Sequence, residues 1–138
     1  MIEPAPPIVP PAEPSPMHTL DRGRAAEEIA QAYLKLQGYQ PLMRGYRAGK
    51  AEVDLVMQHG DSVVFVEVKL RGPGSLARGA EAITRQQQAR LEAAGASWLM
   101  RHGLTTLRFD AVLLDEDAEG MRLTHIKGAF QASRRRPI

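Results

Sequence analysis

The chain carries carboxylates and a lysine at the spacing of strands. Alternate side chains of a strand share a face, so Glu52 and Asp54 point one way in Ala51-Glu52-Val53-Asp54-Leu55-Val56. Glu67 and Lys69 do the same in Val64-Phe65-Val66-Glu67-Val68-Lys69-Leu70-Arg71. His59-Gly60-Asp61 reads as the turn between the two segments, which brings the four charges together across one hairpin. Carboxylates crowded at the end of a buried strand repel one another and resist desolvation unless a cation or hydrogen-bond donors compensate. Oxygen donors at this density suit Mg2+ or Mn2+. A lysine two residues beyond a carboxylate can reach water or a phosphate oxygen opposite, which is the equipment for metal-dependent phosphodiester hydrolysis. The same residues also fit an ordinary polar face of cross-strand ion pairs, and spacing alone leaves both readings open.

The elements that must position these residues follow from periodicity. From Asp21 to Gln37, Ala26, Ile29, Ala30, Tyr33, Leu34 and Leu36 recur near 3.6-residue spacing and Gly38 supplies a stop, predicting a helix. Leu42 to Tyr46, Glu52 to Met57 and Ser62 to Arg71 read as three strands, and the continuous apolar run Val63 to Val66 marks the third as central and buried on both faces. Gly72 to Gly79 is loop-like, and Thr84 to Arg101 carries a second helical pattern through Ala89, Leu91, Ala94, Trp98 and Leu99. Leu107 to Leu114 is a fourth strand, Asp115 to Gly120 an acidic turn, and Met121 to Ile126 a fifth strand. The order α-β-β-β-α-β-β belongs to an α/β domain with a central sheet flanked by helices.

At 138 residues, the chain has surface for a single core. The absence of cysteine excludes a disulfide scaffold, a thiolate metal site and a cysteine nucleophile. No apolar run approaches the roughly 20 residues that cross a bilayer, and the N-terminus lacks a signal-peptide pattern, so a cytoplasmic protein is expected. Residues 1–17 hold seven of the ten prolines and read as a disordered tail ahead of a single domain over 18–130; Met17 is a candidate second start. Residues 131–138 form a basic tail around Arg134-Arg135-Arg136. Net charge is only +2, but 14 of the 18 basic residues are Arg, whose planar fork pairs with phosphate; genome composition explains that bias equally well.

With the two strand motifs in place, the chain resembles the YraN family. These are small bacterial endonuclease-like proteins related to archaeal Holliday-junction resolvases within the PD-(D/E)xK nuclease superfamily. Glu27-x-x-Ala30 with Tyr33, Leu34, Gly38 and Tyr39 resembles the family's first helix, Arg108-Phe109-Asp110 its later strand, and Ile126 to Phe130 its closing segment, so the likeness spans about residues 22–130. It implies a restriction-endonuclease-like core with a mixed sheet. It also implies Asp54 and Glu67 as metal ligands, Lys69 as the catalytic lysine, Glu27 as a further acidic member and the Val68 carbonyl as a backbone ligand. Glu52 falls in the family's Gly-Glu-x-Asp motif, with metal binding, orientation of Lys69 or pairing with an arginine all open to it. Arg108 and Asp110 would support the cleft. Two departures stand out: Ala51 replaces the usual glycine, and Gln87 stands where the second helix often has lysine, leaving Arg85 and Arg90 as the nearby cations.

Gly72-Pro73-Gly74-Ser75-Leu76-Ala77 mimics a dinucleotide-binding turn, but charge precedes it and the second βα unit is missing, so a loop beside the cleft is expected, with Arg71 and Arg78 on the DNA backbone. His18, His59, His102 and His125 show no ligand spacing and are expected to be exposed; Trp98 is expected in the core. Three functions remain. The first is a Mg2+- or Mn2+-dependent endonuclease acting on branched or structured DNA in recombination, repair or DNA uptake, with a homodimer as the expected assembly. The second is a catalytically weak DNA-binding module serving a DNA-processing partner. The third is a protein-interaction module with structural carboxylates.

Overall fold

The computed structural model describes residues 19–72 and 83–131. The expectations for the two tails, Met17, His18, the glycine-rich loop beyond Gly72 and Arg78 lie outside the described residues. Helix α1 spans Thr19–Leu36, and strands β1, β2 and β3 span Gln40–Ala48, Ala51–His59 and Ser62–Arg71. Helix α2 covers Arg85–His102, followed by β4 over Thr106–Asp117 and β5 over Gly120–Ile126. The order of elements is the one read from periodicity. No helix among the described residues is long and apolar enough to cross a membrane.

The five strands form one mixed sheet in the order β1-β2-β3-β4-β5. Pairing is antiparallel except between β3 and β4, which run parallel because the chain returns through α2. Both faces are covered. On one, Ala26, Ala30 and Leu34 of α1, spaced four residues apart, pack on Leu55, Met57, Val64, Val66, Val112 and Leu114. On the other, Leu91, Ala94 and Trp98 of α2 pack on Tyr46, Val56, Phe65 and Phe109. The central strand therefore has no solvent face from Val63 to Val66, as its unbroken apolar run predicts.

Helix α1 ends where Gly38 takes a φ of +92°, donating to the Lys35 carbonyl while Tyr39 N–H donates to Leu34, a Schellman closure that delivers Tyr39 into the core. Boundaries differ from expectation at several ends: β1 and β2 extend beyond the expected Leu42 to Tyr46 and Glu52 to Met57, so that His59 belongs to β2 and not to the turn, and the largest shift is at the end of β4. The acidic segment after Leu114 remains in β4 to Asp117, because Asp115 is bonded by Arg71 and Glu116 by Arg22, so the charges stay compensated within the sheet. The turn shrinks to Ala118–Glu119, with Asp117 Oδ1 accepting from Glu119 and Gly120 N–H at 2.8 and 3.0 Å.

Candidate active site

The ladder between β2 and β3 stops at Leu55↔Val66. Beyond that rung the Val68 N–H donates to a side chain: Asp54 Oδ2 accepts it at 2.8 Å. Asp54 is thereby fixed beside Glu67, whose side chain leaves β3 on the α2 face. Together with Glu52 at the rim and Gln87, Arg90 and Leu91 of α2, they line a cleft of about 210 Å³.

The electrostatics record how tightly the acids are gathered. Burial and the neighbouring Glu67 carboxylate push the Asp54 carboxyl up to about 8, against the Val68 hydrogen bond that favours its ionised form; Glu27 adds to the upward push. Burial also raises Glu67, opposed by the positive charges of Lys69 and Arg90. Lys69 and Arg90 therefore both act on Glu67, one from the same strand and one from the facing helix. Glu27 is half-buried and reaches Asp54 from α1, whereas the adjacent Glu28 is exposed. Arg44 of β1 stands 3.4 Å from Glu27 Oε2, and Arg47 stands 3.8 Å from Glu52 Oε2. Among the described residues, no three Asp, Glu or His side chains converge as a ready metal cage. The acids are thus arranged as a central pair, Asp54 and Glu67, with Glu27 and Glu52 as outer members each facing an arginine.

Other expected site residues have different settings. Arg71 holds Asp115 through bonds of 2.6 and 2.9 Å and does not line the cleft. Arg85 opens α2, is exposed and does not line the cleft. For Val68, the contact with the site is its N–H. Gln87 does line the cleft, but its side chain also accepts from Thr84 N–H at 2.9 Å while its own N–H donates to Thr84 Oγ1 at 3.1 Å. This capping box closes the start of α2, and a lysine at 87 could not accept the first bond. The signature Thr84-x-x-Gln87 was available in the sequence.

Arg108 and Asp110 correct the expectation of a supporting position near the cleft. Asp110 belongs to the α1 face of the sheet, with Val112 and Leu114, whereas Glu67 opens onto the α2 face. Asp110 is fully buried and accepts from Arg108 Nε at 2.8 Å, Gly128 N–H at 3.1 Å and Tyr39 Oη at 3.3 Å, with His125 Nε2 at 2.8 Å. Arg108 also donates to Tyr39 Oη and lies 3.3 Å from His59 Nδ1. Tyr39 and His59 stack with their centroids 4.0 Å apart. Burial alone would raise the Asp110 carboxyl, but hydrogen bonds from His125, Arg108 and Gly128 together hold it down at about 2. The expectation of exposed histidines is corrected at two positions, where the His125 side chain is 4% exposed and His59 is half-buried, and holds at His102, which is exposed. Alternation in Arg-Phe-Asp was the local signal for one polar face; its partners arrive from distant segments.

The family model described as "Uncharacterised protein family UPF0102" matches residues 26–114, a span that includes Glu27, Glu52, Asp54, Glu67, Lys69, Arg108 and Asp110. A UPF0102 protein of Rhodopseudomonas palustris is 42% identical over 114 residues, covering 80% of this chain and 84% of its own length. Another from Methylorubrum extorquens is 42% identical over 127 residues, covering 88% and 95%. A third from Desulforapulum autotrophicum is 39% identical over 111 residues, covering 79% and 92%.

Proposed function

Because the chain belongs to the uncharacterised protein family UPF0102, the YraN family, whose name assigns no activity, we propose a function from its own cleft: divalent-metal-dependent endonucleolytic hydrolysis of phosphodiester bonds in DNA. The observation that carries this reading is the convergence of Asp54 and Glu67 at one cleft, with Lys69 acting on Glu67 from the same strand. The mixed sheet flanked by helices, with the acids on adjacent antiparallel strands, supports a PD-(D/E)xK core as its finer description.

The donor set fits Mg2+ or Mn2+ in kind. Asp54 and Glu67 offer hard oxygen donors, and their mutual repulsion is what a dication relieves. Asp54 and Glu67 would hold the ion, with Glu27 and the Val68 carbonyl as further donors. Such an ion, when bound, supplies neutralisation of phosphoryl charge and acidification of water. The chain's residues do the rest. The Val68 N–H fixes the orientation of the Asp54 carboxylate, Lys69 holds the attacking water or a phosphoryl oxygen, and Arg90 faces the phosphate from α2. Branched or structured DNA is the proposed substrate, and a homodimer would place two clefts on it.

The test is cleavage of labelled linear, single-stranded, flap and four-way-junction DNA with Mn2+, Mg2+ or EDTA. Cutting that needs the metal and ranks the branched substrates first is the expected result; no cutting of any substrate contradicts the reading. A second reading, a weakly catalytic DNA-binding module for a DNA-processing partner, is favoured by one observation: the outer acids Glu27 and Glu52 each face an arginine, at 3.4 and 3.8 Å, and the guanidiniums compete with a metal ion for them. Salt-sensitive DNA binding without metal-dependent cleavage would select it.

A further inference from the structure

Strand β1 is an edge of the sheet, and its register straddles the cleft. Arg44 pairs with Leu55 and Tyr46 with Val53, so Gly45 falls opposite Asp54. Gly45 has a φ of +62°, in the left-handed region that favours glycine, and a Cβ there would meet Glu52 Oε1 at 3.4 Å. On the β1 side, then, no side chain of the register partner stands over Asp54. Arg44 and Arg47 flank this gap, about 10 Å apart along the strand at the usual rise. Their pairs with Glu27 and Glu52, at 3.4 and 3.8 Å, are long, and the arginine side chains are 39% and 77% exposed. Exposed ion pairs of this kind hold little energy and exchange partners readily. Arg90 stands on the opposite wall.

We infer that Arg44 and Arg47 form a phosphate-contacting rail: an extended polyanion enters over Gly45, its backbone phosphates taking the two guanidiniums from Glu27 and Glu52 and setting the scissile phosphate above Asp54 and Glu67. The inference rests on the phosphodiester reading of the cleft and adds to it the edge by which the substrate enters. The arrangement is charge-complementary in two zones, an acidic floor for a dication and a cationic rim for the flanking phosphates. Both arginines are exposed, so their replacement leaves the core untouched.

Binding of a labelled four-way junction, measured by fluorescence anisotropy in Ca2+ from about 50 to 200 mM KCl, tests the rail. Arg44→Gln and Arg47→Gln each reduce the magnitude of the slope of log affinity against log salt by about one and the double variant by about two, with binding by each single variant about tenfold weaker at the lower salt limit and the deficit shrinking as salt rises. Arg122→Gln, the same change of charge on β5 at the far edge, leaves affinity and slope unchanged. Wild-type slopes in both rail variants, an equal loss in Arg122→Gln, or no binding by the wild type would each overturn the inference. Cleavage in Mn2+, followed separately, keeps the two readings apart. A wild type that cuts while the rail variants bind normally removes the rail and keeps the nuclease. A wild type that never cuts while the rail variants lose their salt slope does the reverse.

Discussion

Asp54 and Asp110 are both drawn from water, and their surroundings drive them in opposite directions. Asp54 lies beside another carboxylate, and its carboxyl rises from an ordinary 3.8 to about 8. The folded chain therefore retains a proton that the unfolded chain has lost, and stability tied to this group falls as pH rises from about 4 towards 8. In chelated buffer Asp54→Asn should raise the unfolding midpoint, and its advantage should be larger at pH 8 than at pH 5 by about 3–4 kcal/mol. An advantage that does not change with pH would mean that Asp54 is neither drawn from water nor held against Glu67. Asp110 carries the opposite sign. Its carboxyl falls from 3.8 to about 2, so its contribution is complete above pH 4 and is lost as pH drops through 2. Urea unfolding of the wild type should lose about 2 kcal/mol between pH 4 and pH 2, whereas Asp110→Asn, less stable throughout, should lose little of that increment.

At the scale of elements, the start of α2 serves both stability and site. Thr84 and Gln87 close the helix, and the same turn presents Gln87 and Arg90 to the cleft. Gln87→Lys should lower stability by about 0.5–1 kcal/mol through the lost cap and yet tighten DNA binding, because a cation replaces an amide at the acidic cleft. Thermal unfolding and anisotropy on one preparation separate the effects; an unchanged melting temperature would remove the cap from the account. Elements were legible in the sequence wherever one period dominated. Val63 to Val66 declared a central strand, and Ala26, Ala30 and Leu34 declared a helix face. Asp54, Glu67 and Lys69 were legible because two directly paired strands carry them, although the alternation of β2 slips at Asp54, with Val53 in the core on the α2 face and Leu55 in the core on the α1 face. The Asp110 network was not, because Tyr39, His59 and His125 reach it from three separate segments. The β4 boundary was missed because the partners Arg22 and Arg71, which keep Asp115 and Glu116 in the sheet, lie far away in the chain.

For the whole molecule, the sheet divides labour between its faces. The α1 face carries a closed polar network beside its apolar core, with Asp110 satisfied from every side, while the α2 face opens into a cleft whose acids are left crowded. Acids left crowded in one cleft, on a sheet whose buried Asp110 is fully compensated, are the pattern of a site that gives up stability for chemistry. A dication that binds only the folded chain should accordingly stabilise it by mass action, so millimolar Mn2+ should raise the wild-type melting temperature and leave Glu67→Ala unmoved. Equal shifts in both proteins would place the ion elsewhere. The decisive measurement on the cleft is single-turnover cleavage of the preferred DNA in Mn2+ by the wild type, Glu67→Ala and Lys69→Ala, with binding measured alongside. Cleavage should fall to background in Glu67→Ala and by about 100-fold or more in Lys69→Ala while both still bind DNA; cutting at the wild-type rate by either variant would contradict the assignment of the cleft as the active site.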